Sequence, residues 1–460
     1  MLLPQLMASC GTDDPGPEVP FDGNVVIIGA GAAGLYAADI LKSKGIQVTI
    51  LEASNQIGGR IRSVRNQPEP EIANVSAADF PVELGAEIVY GSDSIWGTAL
   101  KNFNVTAIDI GEISSDQFIL DSIAKSKEDW IVDGDFASAN DFVENLANYS
   151  GGASTVAQAA ASLSNRVENL INSQIGNRYG SSSATLGISG VAEAMRTQAH
   201  DGKQIVVKTN PMQDFLIFRF DSVRELVQLN TQVTSIDATG EKIMITDANG
   251  GQLEANKVIV TVPLSILKKN VISFSPGLPE VMTTSMAKLG MDHSIRVLID
   301  FKKNFWGASM AHLWGGAAFP NCYSSGLGRS EFNQTLSITI NGPKAVELSD
   351  LGSDMINVIL AELDTIYAGQ ATQFVRRAFD TNEILSIIKD WGKDEFIQGG
   401  ISYPLASATL ADRENLGLAI QDKLFFAGEA TDVTGDAGTI NGALASAERV
   451  AQQVVESIIG

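Results

Sequence analysis

Asn24-Val-Val-Ile-Ile28 is an unbroken apolar, β-branched run, the pattern of a parallel strand buried on both faces. Leu35 to Lys42 then follows helical spacing and stops before Gly45, and Gln47-Val-Thr-Ile-Leu51 predicts a second strand that ends in Glu52. Farther along, Thr231 to Ile236 begins a series of short alternating strands, separated by turn signals at Thr239-Gly240 and Asn249-Gly250. A buried strand, Val258-Ile-Val-Thr-Val262, is closed by Pro263. Together these predict a β-meander feeding back into the first sheet. Ser294 to Phe301 and Gln334 to Ile340 alternate like sheet strands, whereas Asp354 to Tyr367 carries a helical core stripe of Met355, Ile356, Ile359, Leu360 and Leu363. The first insert, 96–204, reads as helical and polar, with Ala/Ser/Asn-rich stretches such as Ser154 to Ser162. Lys423 to Thr431 predicts strand plus turn, and Thr439 to Arg449 a helix with small residues on one face.

Between the first strand and its helix stands Gly29-Ala30-Gly31-Ala-Ala33-Gly34. Gly29 suits the tight turn, Gly31 lets backbone approach a pyrophosphate, and Gly34 lets helix pack closely on strand, while the helix N-terminus favours an anion. Glu52 follows Gly34 at the spacing that puts a carboxylate at the second strand's tip, within reach of ribose hydroxyls. Strand, glycines, helix, strand and acid in register make a dinucleotide site a strong expectation.

Composition narrows the chemistry. The 460 residues hold 54 acidic and 32 basic side chains, for a net charge of −22, and this excess repels a phosphate backbone. Nucleic acid is therefore excluded as a partner. Two cysteines and three histidines cannot supply a disulfide framework or a recognisable metal motif, so no metal is expected. No run of 18 apolar residues predicts a spanning helix. The opening Met1 to Cys10, followed by a Gly/Pro/Asp tether to Gly23, resembles the end of a bacterial lipoprotein signal, although no Lys or Arg precedes the apolar run. Two readings stay open for residues 1–23: a signal whose Cys10 tethers the protein to a membrane in the cell envelope, or a leader on a cytoplasmic protein.

Glu52-Ala53-Ser-Asn-Gln-Ile-Gly58-Gly59-Arg60-Ile-Arg62 continues past the acid into a double glycine and an arginine, and here the sequence resembles the flavin-dependent amine oxidase family. Val82-Glu-Leu-Gly85-Ala86-Glu87-Ile88-Val-Tyr90-Gly91 resembles the family segment that runs along the isoalloxazine ring. The resemblance extends to Val233 as the adenine contact, to Gly428 and Glu429 at the flavin linker, and to the backbone of Thr439 and Ile440 at the ring edge. It implies FAD as cofactor, with Arg60 beside the diphosphate. It implies an α/β fold: a Rossmann-like, glutathione-reductase-type FAD-binding domain (24–95, 205–280 and 420–460) interleaved with an α+β substrate-binding domain (96–204 and 281–419). It also implies hydride removal from the carbon beside an amine nitrogen, giving an imine that hydrolyses, with electrons passing to O2 or another acceptor.

Several positions depart from the family pattern. Arg296 stands ten residues before Trp306, where the family has a lysine that aids reaction with oxygen; a flavin-side role and a salt bridge are both open to it. Thr439 replaces one aromatic wall of the amine cage, and the other falls to Ile401 or Tyr403. Trp391 suits either the flavin or the core. Tyr90 and Ile88 occupy positions that would carry an acidic residue or histidine, and an arginine, in enzymes acting on polyamines and amino acids, which favours neither class. Glu87 is open to receiving a cationic amine or to being a surface acid. His293 and His312 are candidates for the cavity, and Cys322 is expected to be a semi-buried thiol. With no cysteine from Phe396 to Tyr403, FAD should be held non-covalently. Two other readings remain: a related flavin desaturase or protoporphyrinogen-type oxidase, and a flavin-binding protein with little turnover.

Overall fold

Asn24–Ile28 lies at the centre of a five-stranded, wholly parallel sheet, flanked by Gln47–Leu51 and Lys257–Val260, with Val227–Gln228 and Leu424–Phe426 at the edges. This is a computed structural model that describes residues 18–64, 82–208, 210–329 and 333–460; Cys10 and its surrounding leader lie outside the described residues. The unbroken apolar strands follow from burial on both faces. Val25 and Ile27 pack with Ile50, Ile259 and Phe425 on one side, while Val26 and Ile28 pack with Leu51, Val258 and Phe426 on the other. Every one of these side chains is buried.

Helices Ala32–Ser43 and Ile440–Ile459 cover the first face, and Ala33, Ala37, Ala447 and Ala451 share its core. Small side chains there let two helices from opposite ends of the chain approach closely. The meander Val233–Asp237, Ile243–Asp247 and Gln252–Ala255 is antiparallel and covers the second face, joined in parallel by Ser273–Ser275.

A second sheet has seven strands in the order Ser386–Asp390, Ser294–Asp300, Thr335–Asn341, Asn321–Ser324, Met310–Trp314, Ser115–Leu120 and Ile123–Ser126. Helix Met355–Ile366 lays its predicted stripe into this sheet's core. The first insert differs from its helical expectation. Ser115–Leu120 and Ile123–Ser126 form a hairpin whose turn places Asp121 and Ser122 at φ 51° and 62°, the left-handed backbone that a two-residue hairpin requires. The hairpin joins the sheet through a parallel pairing with Met310–Trp314, a contact local periodicity cannot reveal. Around Ser154 to Ser162, only Val156–Ala159 is helical. Cys322 is fully buried rather than semi-buried, and burial pushes its thiol pKa far up.

Candidate active site

A cavity of about 510 Å³ runs from the parallel sheet to the seven-stranded sheet. Its wall includes Gly29, Gly31, Ala33, Glu52, Ala53, Gly58, Gly59, Arg60, Gly85, Ala86, Glu87, Ile88, Tyr90, Val233, Arg296, Trp391, Gly428, Glu429, Thr439 and Ile440. Three predicted residues stand off the wall: Ala30, Gly34 and Tyr403.

The glycines divide the work by geometry. Gly29 adopts φ +109°, which β-carbon-bearing residues avoid. A Cβ on Gly34 would lie 2.0 Å from the Gly29 carbonyl oxygen, so this glycine serves helix–strand contact. A Cβ on Gly31 would meet no protein atom within 4 Å, which makes this the open cradle in the wall. Ala30 is held from behind, its N–H donating to Glu52 Oε2 at 2.8 Å. The other Glu52 oxygen accepts from Ser54 N and Oγ, fixing the carboxylate at the sheet's edge.

Arg60 Nη1 donates to Glu429 Oε1 and to the Gly400 carbonyl, both at 2.8 Å. Glu429 also accepts from Ser402 Oγ at 2.6 Å and Gly438 N at 2.8 Å. Burial opposes its charge, yet Arg60, Arg413 and Ser402 outweigh that and hold its carboxyl below the ordinary range. Gly438 leads into Thr439, which caps the long last helix: its hydroxyl accepts from Gly442 N at 3.2 Å and donates to the Asp436 carbonyl at 2.7 Å. The helix N-terminus thus opens onto the cavity with its positive dipole end. The Thr439 side chain is engaged as a cap, so it builds no part of a substrate cage.

Trp391 is a core residue that also borders the cavity. It is 5 % exposed, its Nε1 donates to the Leu84 carbonyl at 2.8 Å, and its ring edge lies against Gly85 on the cavity wall. Arg296 is on the wall and in a salt bridge, as one of its two readings has it. Nη1 reaches Glu87 Oε2 at 3.1 Å and Ser337 Oγ at 2.7 Å, and Nη2 donates to the Gly85 carbonyl at 2.7 Å. Glu87 Oε1 takes Arg329 at 3.0 Å and Ser325 at 2.8 Å. Two arginines and two serines therefore saturate Glu87, and it is neither a surface acid nor free to receive a cationic amine.

Tyr403 corrects another expectation. Its ring packs against Gly290, within the cluster of Leu170, Leu186 and Val191, and its hydroxyl is associated with Ser181 and Asp292. Ile401, the other option, is on the wall. His312 lines the cavity and His293 does not; His293 lies 2.7 Å from Asp390 Oδ1. Burial lowers the His312 pKa, and the neutral ring bridges Gln204 Oε1 at 3.1 Å and Asn321 Nδ2 at 3.4 Å.

Other wall residues escaped the sequence reading: Asn177, Arg178, Tyr179, His200, Asn321, Asn341 and Arg413. Arg178 follows the π-helix Asn172–Asn177, a distortion common at functional sites but without a sequence signature. His200 Nε2 pairs with Asp436 Oδ1 at 3.2 Å, beside the capped helix. Among the described residues, no cluster of three potential metal ligands occurs, and no helix is long and apolar enough to cross a membrane.

The family described as "Flavin containing amine oxidoreductase" matches residues 185–455, and the NAD(P)-binding Rossmann-like domain matches residues 27–102. The chain is 24 % identical to lysine-specific histone demethylase 1 homolog 3 of Arabidopsis thaliana, over 95 % of this chain and 30 % of that protein. It is 24 % identical to the human lysine-specific histone demethylase 2, over 94 % and 53 % respectively. The chain thus spans about half or less of the length of these relatives. Cyclohexylamine oxidase from Brevibacterium oxydans shares the fold, with a TM-score of 0.76 at 18 % identity, covering 96 % of this chain and all of that one.

Proposed function

We propose, from the premise that the chain belongs to the flavin-containing amine oxidoreductases, that it oxidises the C–N bond of a small amine by hydride transfer to FAD. One observation carries this reading: a single cavity joins the Gly31 cradle and Glu52 to the N-terminus of the last helix and then to the Tyr90–His312 wall. The donor set fits the cofactor. Glu52 would accept from ribose hydroxyls, the Gly31 backbone and the N-terminus of Ala32–Ser43 would hold the diphosphate, and the Arg60–Glu429 pair would serve the flavin linker. Bound FAD supplies the two-electron acceptor that no side chain provides.

The chain's own contribution is position, field and dryness. The N-terminus of Ile440–Ile459 directs its positive dipole end into the cavity, where it would stabilise negative charge on a reduced cofactor. Arg296 pins the Gly85 backbone and, through Glu87, ties it to the seven-stranded sheet. Ile88, Ile401 and Trp391 give the cavity an apolar wall that would keep water from the reacting atoms. The imine product is hydrolysed by water, and O2 or another acceptor takes the electrons. Cys322 lies in the sheet core and off the cavity wall, consistent with non-covalent FAD.

Anaerobic mixing with an amine panel tests the reading. Bleaching of the flavin band by at least one amine is expected, and rapid recovery in air identifies O2 as acceptor. A flavin that no amine bleaches overturns it, and bleaching by a hydrocarbon or porphyrinogen alone turns the assignment to a desaturase-type oxidase.

A further inference from the structure

Arg178 is the wall arginine without a partner of opposite charge or a carbonyl. Arg60 has Glu429 and Gly400, Arg296 has Glu87 and Gly85, and Arg413 has Ser402 and Ala430. Among the described residues, no carboxylate forms a salt bridge with Arg178; its guanidinium lies over the Tyr90 ring, 5.4 Å from the centroid, and its side-chain hydrogen bond is with Tyr90. The charge of Asp116 reaches it, but the Asp116 oxygens accept from Trp314 Nε1 at 2.9 Å and His312 N at 3.3 Å. Arg178 is exposed by area yet enclosed by the surrounding chain, so the surface it offers is cavity surface.

Its mounting is rigid. Asn177 Nδ2 donates to the Thr339 carbonyl at 2.9 Å, while Asn341 N and Nδ2 donate to Asn177 Oδ1 and O, both at 2.7 Å. The backbone before Arg178 is thereby tied to strand Thr335–Asn341. The fork of a guanidinium matches a carboxylate in two parallel hydrogen bonds, and no carboxylate of the described residues takes that fork at Arg178. Neighbouring His312 is neutral, so the cation at this end of the cavity is Arg178, and the nearby Asp116 carboxylate is taken up by Trp314 and the His312 backbone. Glu87, the acid shared with this region, is saturated and offers nothing to a second ammonium.

We propose that Arg178 is a specificity-determining residue that seats a carboxylate carried by the amine substrate. The proposal rests on the amine-oxidising reading and deepens it: the substrate class is an amino carboxylate rather than a simple alkylamine or a diamine. A zwitterion has no net charge, so a chain of −22 does not repel it.

The test uses the full-length FAD-loaded protein. Pentanoate is titrated while the flavin absorption band is followed, in wild type, Arg178→Gln and Arg178→Lys. Pentanoate should perturb the wild-type band, the Gln variant should bind it at least about tenfold more weakly, and Lys should recover part of the loss. In a second arm, the ratio of flavin-reduction efficiency for 5-aminopentanoate over pentylamine should fall at least about tenfold in Arg178→Gln, at unchanged flavin content. Pentanoate binding that is absent in wild type, or equal in wild type and Gln variant, overturns the proposal, as does an unchanged ratio. The two readings fail separately: if no amine reduces the flavin while pentanoate binding still depends on Arg178, amine oxidation falls and the anion seat stands.

Discussion

Arg60 and Glu429 are 369 residues apart in sequence and 2.8 Å apart in space. Their pair closes the chain around the cavity, and each partner depends on the other for burial. Glu429→Ala leaves Arg413 buried beside a lost counter-charge and removes the acceptor for Gly438 N. Breaking such a buried pair costs about 3–5 kcal/mol. The expected outcome is protein purified largely without FAD, read from the flavin absorbance per chain; a wild-type flavin content contradicts the role of this pair.

Gly31 and Gly34 should respond oppositely to the same substitution. Gly31→Ala meets no protein atom, so folding stability of cofactor-free protein should stay within about 1 kcal/mol, while FAD affinity falls at least about tenfold. Gly34→Ala drives a methyl into the Gly29 carbonyl and should cost about 3 kcal/mol of stability. Thermal melts with and without FAD separate the two effects, and equal behaviour would contradict the division of labour between them.

Arg296→Lys replaces a fork that spans Glu87, Ser337 and Gly85 with a single ammonium. The ammonium cannot hold all three acceptors, which leaves room for a water beside the Gly85 segment. Reoxidation by O2 after anaerobic reduction should accelerate severalfold in stopped-flow traces. An unchanged rate would show that this side chain does not limit access of oxygen.

Glu83 gives the protein a pH-dependent stability. Burial raises its carboxyl to about 7 from an ordinary 4.5, against the opposing hydrogen bonds from Ser63 and Met212 and the field of Arg329. Between those two values the folded state holds a proton that the unfolded chain has released, so stability falls as pH rises from about 4.5 to 7. The integrated loss is about 3 kcal/mol at pH 8. Asp300, raised by burial to about 6, acts in the same sense. Glu83→Gln should flatten the fall in Tm between pH 5 and 8, and an unaltered slope would remove Glu83 as the cause.

Local pattern was enough for the elements that package themselves. Asn24–Ile28 and Gln47–Leu51 have the predicted bounds because continuous β-branched runs have one stable use, a strand covered on both faces. The stripe of Met355–Ile366 and the helix–strand contact at Gly34 were legible for the same reason: period and chain stereochemistry act over a few residues. Glu87, Tyr403 and Arg178 were decided elsewhere. Whether Glu87 is free depends on Arg296 and Arg329, more than 200 residues away, and whether Tyr403 faces substrate depends on Gly290 across a two-stranded ribbon. Arg178 owes its place to a π-helix tied to a distant strand. Residue types and short spacings therefore determined the glycine turn and the strands around it, but charge pairing inside the cavity belongs to the tertiary structure, because electrostatic partners are chosen by distance through space and not along the chain.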